Sequence, residues 1–225
     1  MQELSKKITG EIVISKNVSA AAQNIRRISD LKKEFLKFLK KSVSEAIEIL
    51  ISSSVSLDAS DIHIEPEKDQ AKLRMRIDGM LQDALTFEHK NYSLLLSRIK
   101  LISGLKLNIN DRPQDGRFSI LMGQITIEVR TSTLPAEYGE AIVLRILNPK
   151  ALMEIEQLGL RNDLLDILNK EVRKPHGMII VTGPTGSGKT TTLYAILKKI
   201  KKAEIKIITI EDPIEYHLDG VSQSQ

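Results

Sequence analysis

The stretch that decides the fold of the second half of the chain is Gly177-Met-Ile-Ile-Val-Thr-Gly-Pro-Thr-Gly-Ser-Gly-Lys-Thr-Thr-Thr-Leu193. Its residues at positions 183, 188, 189 and 190 fit the pattern G-x-x-x-x-G-K-[ST] of a phosphate-binding loop. The apolar run from Met178 to Val181 predicts a buried parallel strand before the loop, and Thr191 to Lys202 predicts a helix after it. Strand, loop and helix together predict a site for the phosphates of a nucleotide.

The residue types of this loop suit phosphate chemistry. Gly183, Gly186 and Gly188 have no side chain to keep an anion from the backbone amides, and the following helix adds the positive end of its dipole. Lys189 brings a cation to the terminal phosphates, and the Thr190 hydroxyl is placed to ligate magnesium. A glycine-rich turn that binds nothing is the alternative. The expected nucleotide-binding residues are Gly183, Pro184, Thr185, Gly186, Ser187, Gly188, Lys189, Thr190 and Thr191.

A pair of carboxylates follows the next predicted strand, Lys206 to Ile210. Residues 178–210 would then form one βαβ unit with a right-handed crossover. Ligands lie beyond the carboxyl ends of parallel strands, so Glu211 and Asp212 are expected to project toward the phosphates. Their expected roles are to orient or deprotonate the attacking water and to hold magnesium through an outer-shell water. On spacing alone, a solvated loop carboxylate would be the simpler interpretation.

Shorter periodic segments in the first half of the chain predict an α+β domain with a mainly antiparallel sheet. Apolar residues recur at helical spacing from Asp30, a plausible N-cap, to Ile51, in one long helix or two shorter ones. Residues 60–66 and 73–77 alternate as strands, and the second is closed by a turn at Asp78-Gly79.

A further helix is predicted over residues 92–102, followed by a turn-rich loop at residues 111–117. Three more strands are predicted at residues 118–121, 124–131 and 140–147, with a loop over residues 132–140. In the middle strand the alternation directs one set of side chains to the core and leaves the other set on the opposite face. The core set is Ile125, Ile127 and Val129, and the opposite set is Thr126, Glu128 and Arg130.

The composition limits the class of protein. A chain of 225 residues can hold one large or two small domains, and the absence of cysteine excludes disulfides and thiolate metal sites. The N-terminus has no signal-peptide pattern, and no apolar run approaches the ~18 residues that span a bilayer. We therefore expect a soluble, cytoplasmic protein.

The net charge is +4, and much of the excess lies in the first forty residues. A basic segment permits contact with nucleic acid or an anionic membrane surface, but neither aromatic interleaving nor a nucleic-acid motif accompanies it. A solvated basic face is the favoured interpretation, and no specific nucleic-acid binding is expected. Residues 1–29 have no sustained period and are expected to be a mobile arm or the remnant of a larger region.

Several motifs occur in an order that resembles the secretion ATPases of bacterial type II secretion and type IV pilus assembly. The likeness runs from about Val43 to the last residue. The motifs, in chain order, are Ser60-Asp-Ile-His-Ile-Glu-Pro66, Arg76-Ile-Asp-Gly79, Pro113-Gln-Asp-Gly-Arg117, Gly139-Glu140 to Arg145, Gly183 to Tyr194 and Ile210-Glu-Asp-Pro-Ile-Glu-Tyr216.

This resemblance implies a division into domains. It implies a basic arm or helical lead-in at residues 1–41, a PAS-like domain with a mixed sheet at residues 42–148, a linker at residues 149–160 around Asn148-Pro149-Lys150, and a RecA-like P-loop domain at residues 161–225. The chain ends soon after the acidic segment, before the family's second magnesium-binding motif and histidine box. We therefore expect a truncated RecA-like domain and a fragment of a longer protein.

The resemblance also implies roles for residues and partners. Arg130 and Arg145 match arginines that reach toward the phosphates, and Glu211 matches the water-activating glutamate, so that Lys189, Glu211, Arg130 and Arg145 are the expected catalytic residues. Thr190 and Asp212 are the expected magnesium ligands, with ATP and Mg²⁺ as cofactors. The expected assembly is a homo-hexamer at the inner membrane, bound to a platform or docking protein of a secretion or pilus machine.

Three functions follow from these patterns. The first is a motor subunit that binds and hydrolyses ATP to power secretion or pilus assembly. The second is a module that binds nucleotide and oligomerises without turnover. The third and weakest is a P-loop motor that depends on nucleic acid.

Overall fold

A computed structural model describes residues 10–123, 125–147, 153–184, 187–212, 214–216 and 218–225. The chain divides into two units, one ending at Asn148 and the other beginning at Pro149. The first unit is α+β, and its sheet is mixed, since one of its strand pairs is parallel and the others are antiparallel. The α+β class and the mainly antiparallel sheet predicted for this half are confirmed.

Seven strands and four helices form the described part of the first unit. The strands are β1 (Glu11–Val13), β2 (Ala59–Pro66), β3 (Ala71–Ile77), β4 (Met80–Phe87), β5 (Gln114–Met122), β6 (Ile125–Ala136) and β7 (Gly139–Leu147). The helices are α1 (Lys16–Ala22), α2 (Ile28–Lys41), α3 (Val43–Ser56) and α4 (His89–Ile102). The strand order in the sheet is β1-β5-β6-β7-β2-β3-β4.

Alternation along the strands directs one face of this sheet into a core that it shares with the helices. Ile62 and Ile64 of β2 are buried, and so are Ile127 and Val129 of β6. Polar side chains of β6 such as Arg130 lie on the opposite face because successive residues of a strand point in opposite directions. The predicted faces of β6 are therefore confirmed.

The N-terminal residues do not form the mobile arm that was predicted for residues 1–29, at least from residue 10 onward. Residues Glu11–Val13 pair in parallel with β5, and Val18 and Ile25 are buried in the core. Helix α2 buries Leu31 and Phe35 in the same core, so residues 10–41 of the predicted lead-in belong to the first unit. A strand of three residues and a helix of seven are too short to show a period in the sequence.

Two shorter helices occupy the region where one or two were predicted. Helix α2 begins at Ile28, so Asp30 is its third residue and not its N-cap. The Asp30 carboxylate nevertheless satisfies the helix start, because it accepts a hydrogen bond from the backbone nitrogen of Arg27 at 3.0 Å. Ser42 separates α2 from α3 and caps α3.

Strand β4 was missed by the sequence analysis. The turn at Asp78-Gly79 was recognised, and both residues have the positive φ of a tight hairpin turn, 50° and 78°. The pairing with β3 is irregular: Arg74 lies opposite Asp83, but Leu73 lies opposite Leu85. Ala84 is therefore an extra residue, and this bulge interrupts the alternation that identifies a strand.

The loops predicted around β5 and β6 are shorter than expected. Strand β5 already begins at Gln114, inside the predicted loop of residues 111–117. Strands β6 and β7 extend to Ala136 and from Gly139, so that most of the predicted loop of residues 132–140 is strand. Pro135 was taken as a strand breaker, but it pairs with Glu140 at the end of the ladder, where the loss of one N–H donor is tolerated.

The second unit contains a 3₁₀ helix (Ile155–Gln157), helices α5 (Asn162–Val172) and α6 (Lys189–Ile200), and strands β8 (Ile207–Ile210) and β9 (Val221–Ser224). Helix α6 and strand β8 lie where a helix and a strand were predicted. Ile155 is completely buried with Ala195 and Ile196 of α6, so residues 153–160 of the predicted linker include part of this core. The predicted linker residues 148–150 lie outside the described residues.

The βαβ unit predicted over residues 178–210 is not formed. Residues 178–181 are not a strand, and the side chains of Met178 and Ile180 are exposed. Strand β8 pairs instead in parallel with β9, which the sequence analysis did not predict. An apolar run becomes a strand only when another strand pairs with it, and the composition of the run does not report that partner. Among the described residues, no helix is long and apolar enough to cross a membrane.

A buried ion pair joins α4 to β7. The side chain of Lys100 is almost completely buried, and its Nζ lies 2.9 Å and 2.7 Å from the two carboxylate oxygens of Glu140. Lys100 also donates to the backbone oxygen of Ile109, and the Tyr92 hydroxyl donates to the backbone oxygen of Glu140 at 2.6 Å. These bonds hold the start of β7 and the loop before β5 against α4.

Replacement of Lys100 by Met is expected to lower the free energy of unfolding by about 3–5 kcal/mol, because Glu140 would remain as a buried charge without its partner. Urea unfolding followed by circular dichroism measures the change. Lys90→Met, at an exposed position of the same helix, is the matched control and should change the free energy by less than about 0.5 kcal/mol. Equal effects of the two substitutions would contradict the prediction.

A second buried charge, Asp61, lies on β2 and gives a pH prediction. Burial alone would raise the pKa of Asp61, but hydrogen bonds from Arg145 and Ser60 and the charges of Arg145 and Arg76 outweigh it, so the pKa lies below its ordinary value. A carboxyl group with a lowered pKa stabilises the fold above the ordinary aspartate pKa of about 3.9, and this contribution is lost as the pH falls through the lower, folded value.

The difference in free energy of unfolding between the wild type and Asp61→Asn is therefore expected to be constant near neutral pH and to shrink below a pH of about 4. Urea unfolding at a series of pH values measures it. A difference that stays the same down to the acid transition would show that the Asp61 charge does not contribute to stability.

Candidate functional site

Two glycines of the loop before α6, Gly183 and Gly188, lie at positions that do not suit a side chain. Gly188 precedes the helix with a φ of 86°, in the left-handed region that glycine adopts without strain. Gly183 has a φ of 158°, and a Cβ atom there would lie 2.6 Å from Oγ of Ser187. Both glycines are therefore required by the path of the backbone. Thr185 and Gly186, two of the predicted ATP-binding residues, lie outside the described residues.

Lys189 is the first residue of α6, and its side chain bends back over the loop. Its Nζ donates hydrogen bonds to the backbone oxygens of Gly183 and Pro184, both at 2.8 Å. The ammonium group thus lies among the loop residues, where the motif predicts a cation. Thr190 is exposed and Thr191 is half-buried in the same first turn. The predicted loop residues that the structure describes, 183–184 and 187–191, are therefore brought together around the start of one helix.

Glu211 directly follows β8 and is held by donors from α6, β8 and β9. Oε1 of Glu211 accepts hydrogen bonds from Oγ1 of Thr209 at 2.6 Å and Nε2 of Gln223 at 2.9 Å. Oε2 accepts a hydrogen bond from the hydroxyl of Tyr194, which lies on α6. The structure therefore connects Glu211 to the helix that Lys189 begins.

The surroundings of Glu211 and Tyr194 keep the glutamate charged and the tyrosine protonated. Burial alone would raise the pKa of Glu211, but hydrogen bonds from Thr209, Tyr194 and Gln223 outweigh it, and its pKa is lowered. Burial, with the hydrogen bond to Glu211, raises the pKa of Tyr194 to about 12. At neutral pH the phenol is therefore the donor and the carboxylate the acceptor.

Asp212, the other predicted acidic residue, is exposed in a bend beside Glu211. Its carboxylate and the hydroxyl of Thr190 are oxygen donors of the kind that Mg²⁺ prefers. The described residues contain no cluster of three or more histidine, cysteine or acidic side chains that would form an all-protein metal site. These oxygen donors thus fit a magnesium ion whose other ligands are water molecules or phosphate oxygens.

In the first unit, the two predicted arginines belong to a row of charged residues on the open face of the sheet. Arg117, Arg130, Arg145, Asp61 and Arg76 are successive cross-strand partners on β5, β6, β7, β2 and β3. Directly opposed residues in antiparallel strands point to the same face. Four guanidinium groups and one carboxylate therefore share one line across the sheet.

Asp61 is the acidic member of this row and contacts two of its arginines. Its Oδ1 lies 2.9 Å from Nε of Arg145, and its Oδ2 lies 3.2 Å from Nε of Arg76. The side chain of Asp61 is only 5% exposed, whereas that of Arg145 is 58% exposed. Arg145 is therefore oriented from its buried side and presents the rest of its guanidinium group to solvent.

The sequence analysis missed several residues of both arrangements. Asp61, Arg76 and Arg117 lie at polar positions of alternating strands, but only the register shows that they form one row. Tyr194 lay within a recognised motif without an assigned role, and Gln223 belongs to the strand that was not predicted. The polar positions of the alternating strands could have identified the residues of the row. No sequence pattern could have identified the contact between Tyr194 and Glu211.

Comparison with known proteins identifies the family. The profile of the family described as Type II/IV secretion system protein matches residues 38–225. The type II secretion system protein E of Aeromonas hydrophila is 47% identical over 180 residues, which cover 80% of this chain and 36% of that protein. The type II secretion system ATPase E of Vibrio cholerae is 40% identical over 184 residues, which cover 81% and 37% of the two chains.

A solved structure supports the same conclusion. The pilus retraction motor PilT with bound ADP is 29% identical and superimposes with a TM-score of 0.54, over 78% of this chain and 50% of that one. The chain spans about a third of the length of the Aeromonas and Vibrio proteins (36% and 37%). The profile covers most of the chain, and the relatives agree with the resemblance seen in the motifs. The chain belongs to the type II/IV secretion system protein family.

Proposed function

We propose that the chain is a subunit of a motor that binds and hydrolyses ATP to power type II secretion or type IV pilus assembly. The observation that carries the proposal is the loop before α6, where Gly188 takes a left-handed conformation and the ammonium group of Lys189 lies over the loop. The name of the PilT structure, a retraction motor with bound ADP, supports a nucleotide as the ligand. The proposed site residues are those of the loop, from Gly183 to Thr191.

Lys189 would exchange its present acceptors for phosphate. Its two partners are neutral carbonyl oxygens, whereas phosphate oxygens are negatively charged and would add a direct Coulomb attraction to the hydrogen bonds. The terminal phosphates of ATP would therefore attract Lys189 away from Gly183 and Pro184. The N-terminus of α6 would add its backbone amides and the positive end of its dipole.

Magnesium would be held by Thr190 and, through water, by Asp212. The ion neutralises phosphate charge when it is bound with ATP. Both side chains are exposed and carry oxygen donors, which is what an ion that keeps several water ligands requires.

Glu211 would orient the attacking water. Thr209, Gln223 and Tyr194 donate hydrogen bonds to its carboxylate, and the backbone of Glu215 donates a further one. These donors fix the orientation of the carboxylate, and the lowered pKa makes it a weak base. Between the two roles expected from the sequence, these contacts favour orientation of the water over removal of its proton.

Arg130 and Arg145 would stabilise the charge that develops on the terminal phosphate, a role for arginine that accelerates phosphoryl transfer by orders of magnitude. Arg145 is suited to it because Asp61 fixes the guanidinium group at Nε and much of the side chain remains exposed. The row also contains Arg117 and Arg76, which we add as candidate phosphate contacts.

The proposed motor subunit has two domains and acts as part of a ring. The first unit would be the PAS-like domain and the second the RecA-like domain of a hexameric ATPase. That ring would act at the cytoplasmic face of the inner membrane on a platform or docking protein. The family and the similarity to the PilT structure support this architecture.

Lys189→Ala is expected to weaken binding of a fluorescent ATP analogue by at least about 10-fold and to remove hydrolysis, because the compact cation at the phosphates is lost. The 225-residue chain with Mg²⁺ is used for both assays. Lys206→Ala, an exposed lysine of the same unit, is the control and should leave both unchanged. Equal binding by the wild type and Lys189→Ala would contradict the proposal.

The same assay separates the three functions. Turnover that depends on Lys189 supports the motor, and binding without turnover supports a module that only binds nucleotide. A large increase in turnover on addition of DNA at low salt would support a nucleic-acid-dependent motor, since phosphate contacts weaken steeply with salt.

Arg145→Ala is expected to lower kcat by roughly 10²-fold or more, because charge stabilisation at the terminal phosphate would be lost. Steady-state hydrolysis at saturating ATP measures it. Arg161→Ala is the matched control, since Arg161 is an exposed arginine whose ion-pair partner is the exposed Asp163. An unchanged kcat for Arg145→Ala, in a chain whose turnover depends on Lys189, would exclude Arg145 from catalysis.

A further inference from the structure

Tyr194 is the residue through which helix α6 contacts the acidic segment. It lies in the middle of α6, and only 4% of it is exposed. Its ring packs edge to face against Tyr216, with 5.5 Å between the ring centroids. A buried aromatic ring with two side-chain torsions has little freedom, so its hydroxyl is held in a defined position.

The single proton of this hydroxyl is committed to Glu211. The oxygens of Glu211 and of the Tyr216 backbone both lie within reach, but a hydrogen bond to a charged oxygen is the stronger of the two. The same hydroxyl oxygen accepts a hydrogen bond from the backbone nitrogen of Tyr216 at 3.1 Å. Tyr194 therefore contacts both ends of the segment that follows β8.

Gln223 closes the network from β9. Its Nε2 donates to Glu211 at 2.9 Å and to the backbone oxygen of Tyr216 at 2.8 Å, and its Oε1 accepts from the backbone nitrogen of Leu218 at 2.8 Å. The backbone nitrogen of Glu211 donates to the backbone oxygen of Ser224 at 2.9 Å. The carboxylate of Glu211 is thus fixed from the sheet side by β8 and β9 and from the helix side by Tyr194.

We propose that Tyr194 is a positioning residue, which sets the orientation of the Glu211 carboxylate relative to α6 and couples Glu211 to the phosphate loop at the start of that helix. The inference rests on the proposed function, in which Lys189 binds phosphate and Glu211 orients water. It follows from the geometry because a displacement of α6 moves the Tyr194 hydroxyl, and with it one of the donors that hold Glu211.

A positioning role for Tyr194 and a purely structural role predict different effects of removing its hydroxyl group. Tyr194→Phe keeps the buried ring beside Tyr216 and removes only the hydroxyl. If the tyrosine only fills space, the change affects stability and leaves the chemistry intact. If it positions Glu211, ATP binds as before, and the water is oriented poorly.

The first test is steady-state ATP hydrolysis by the 225-residue chain with Mg²⁺. Tyr194→Phe is expected to lower kcat about 10-fold or more, within the range of a misplaced catalytic group, and to leave KM within about 3-fold. Tyr138→Phe, at an exposed tyrosine in the turn between β6 and β7, is the matched control. An unchanged kcat, or a loss that appears only in KM, overturns the proposal.

A double-mutant cycle then asks whether Tyr194 acts through Glu211. In a Glu211→Gln background, Tyr194→Phe is expected to change the remaining kcat by less than about 2-fold, because the group that it positions is already altered. Independent effects that multiply would show that the tyrosine acts elsewhere, and the proposal would be wrong.

The wild-type chain could show no turnover that depends on Lys189, and that result would contradict the proposed function but not this inference. A spectroscopic measurement then tests the contact between Tyr194 and Glu211 without turnover. The chain contains four tyrosines, so labelling with 3-fluorotyrosine gives four ¹⁹F resonances that Tyr→Phe variants assign. The Tyr194 resonance is expected to move in Glu211→Gln and to stay in place in Glu204→Gln, a control at an exposed position of the same unit.

Addition of a nucleotide is the second part of the spectroscopic test. If a non-hydrolysable ATP analogue binds, as the fluorescent titration reports, it is expected to move the Tyr194 resonance and to leave that of Tyr138 in place. A Tyr194 resonance that does not respond to the Glu211→Gln substitution, or to a nucleotide that demonstrably binds, overturns the coupling between Tyr194, Glu211 and the loop.

Discussion

Register between antiparallel strands is the constraint on which the first unit depends. Arg117, Arg130, Arg145, Asp61 and Arg76 come from five strands, and they form one row only because each lies directly opposite the next. A shift by one residue in any pair would turn the arginines of that strand toward the core and its apolar residues toward solvent. Burial of residues such as Ile62 and Val129 therefore fixes the positions of charged groups on the other face.

Carboxylates held by several hydrogen-bond donors orient polar groups in both units. Asp61 and Glu211 each have a pKa below the ordinary value, because hydrogen bonds from several donors outweigh the effect of burial. In the first unit the donors are arginines, so the result is a guanidinium group, that of Arg145, with a fixed orientation. In the second unit they are neutral, so they fix the position of the Glu211 carboxylate without neutralising its charge. The same physical device thus orients a cation in one unit and a carboxylate in the other.

Local patterns predicted the elements that carry the site, and distant contacts determined the rest. The helix after the phosphate loop and the strand before Glu211 follow from short-range periodicity, and both are present as α6 and β8. Strand β4 was missed because the extra residue Ala84 interrupts its alternation. The strand predicted at residues 178–181 is absent because pairing, which composition does not report, decides whether an apolar run becomes a strand. Prediction therefore succeeded where a segment decides its own conformation.

The candidate site shows the same division more sharply. The loop residues were predicted together because one motif contains them, and Gly188 and Lys189 occupy the places that the motif assigns. The partners of Glu211 come from α6, β8 and β9, and no short pattern contains Tyr194, Thr209 and Gln223 together. A carboxylate held by several donors is a property of the folded chain, because each donor alone is an ordinary polar group. For that reason one motif in the sequence predicts the phosphate loop, whereas only the folded chain shows how the Glu211 carboxylate is oriented.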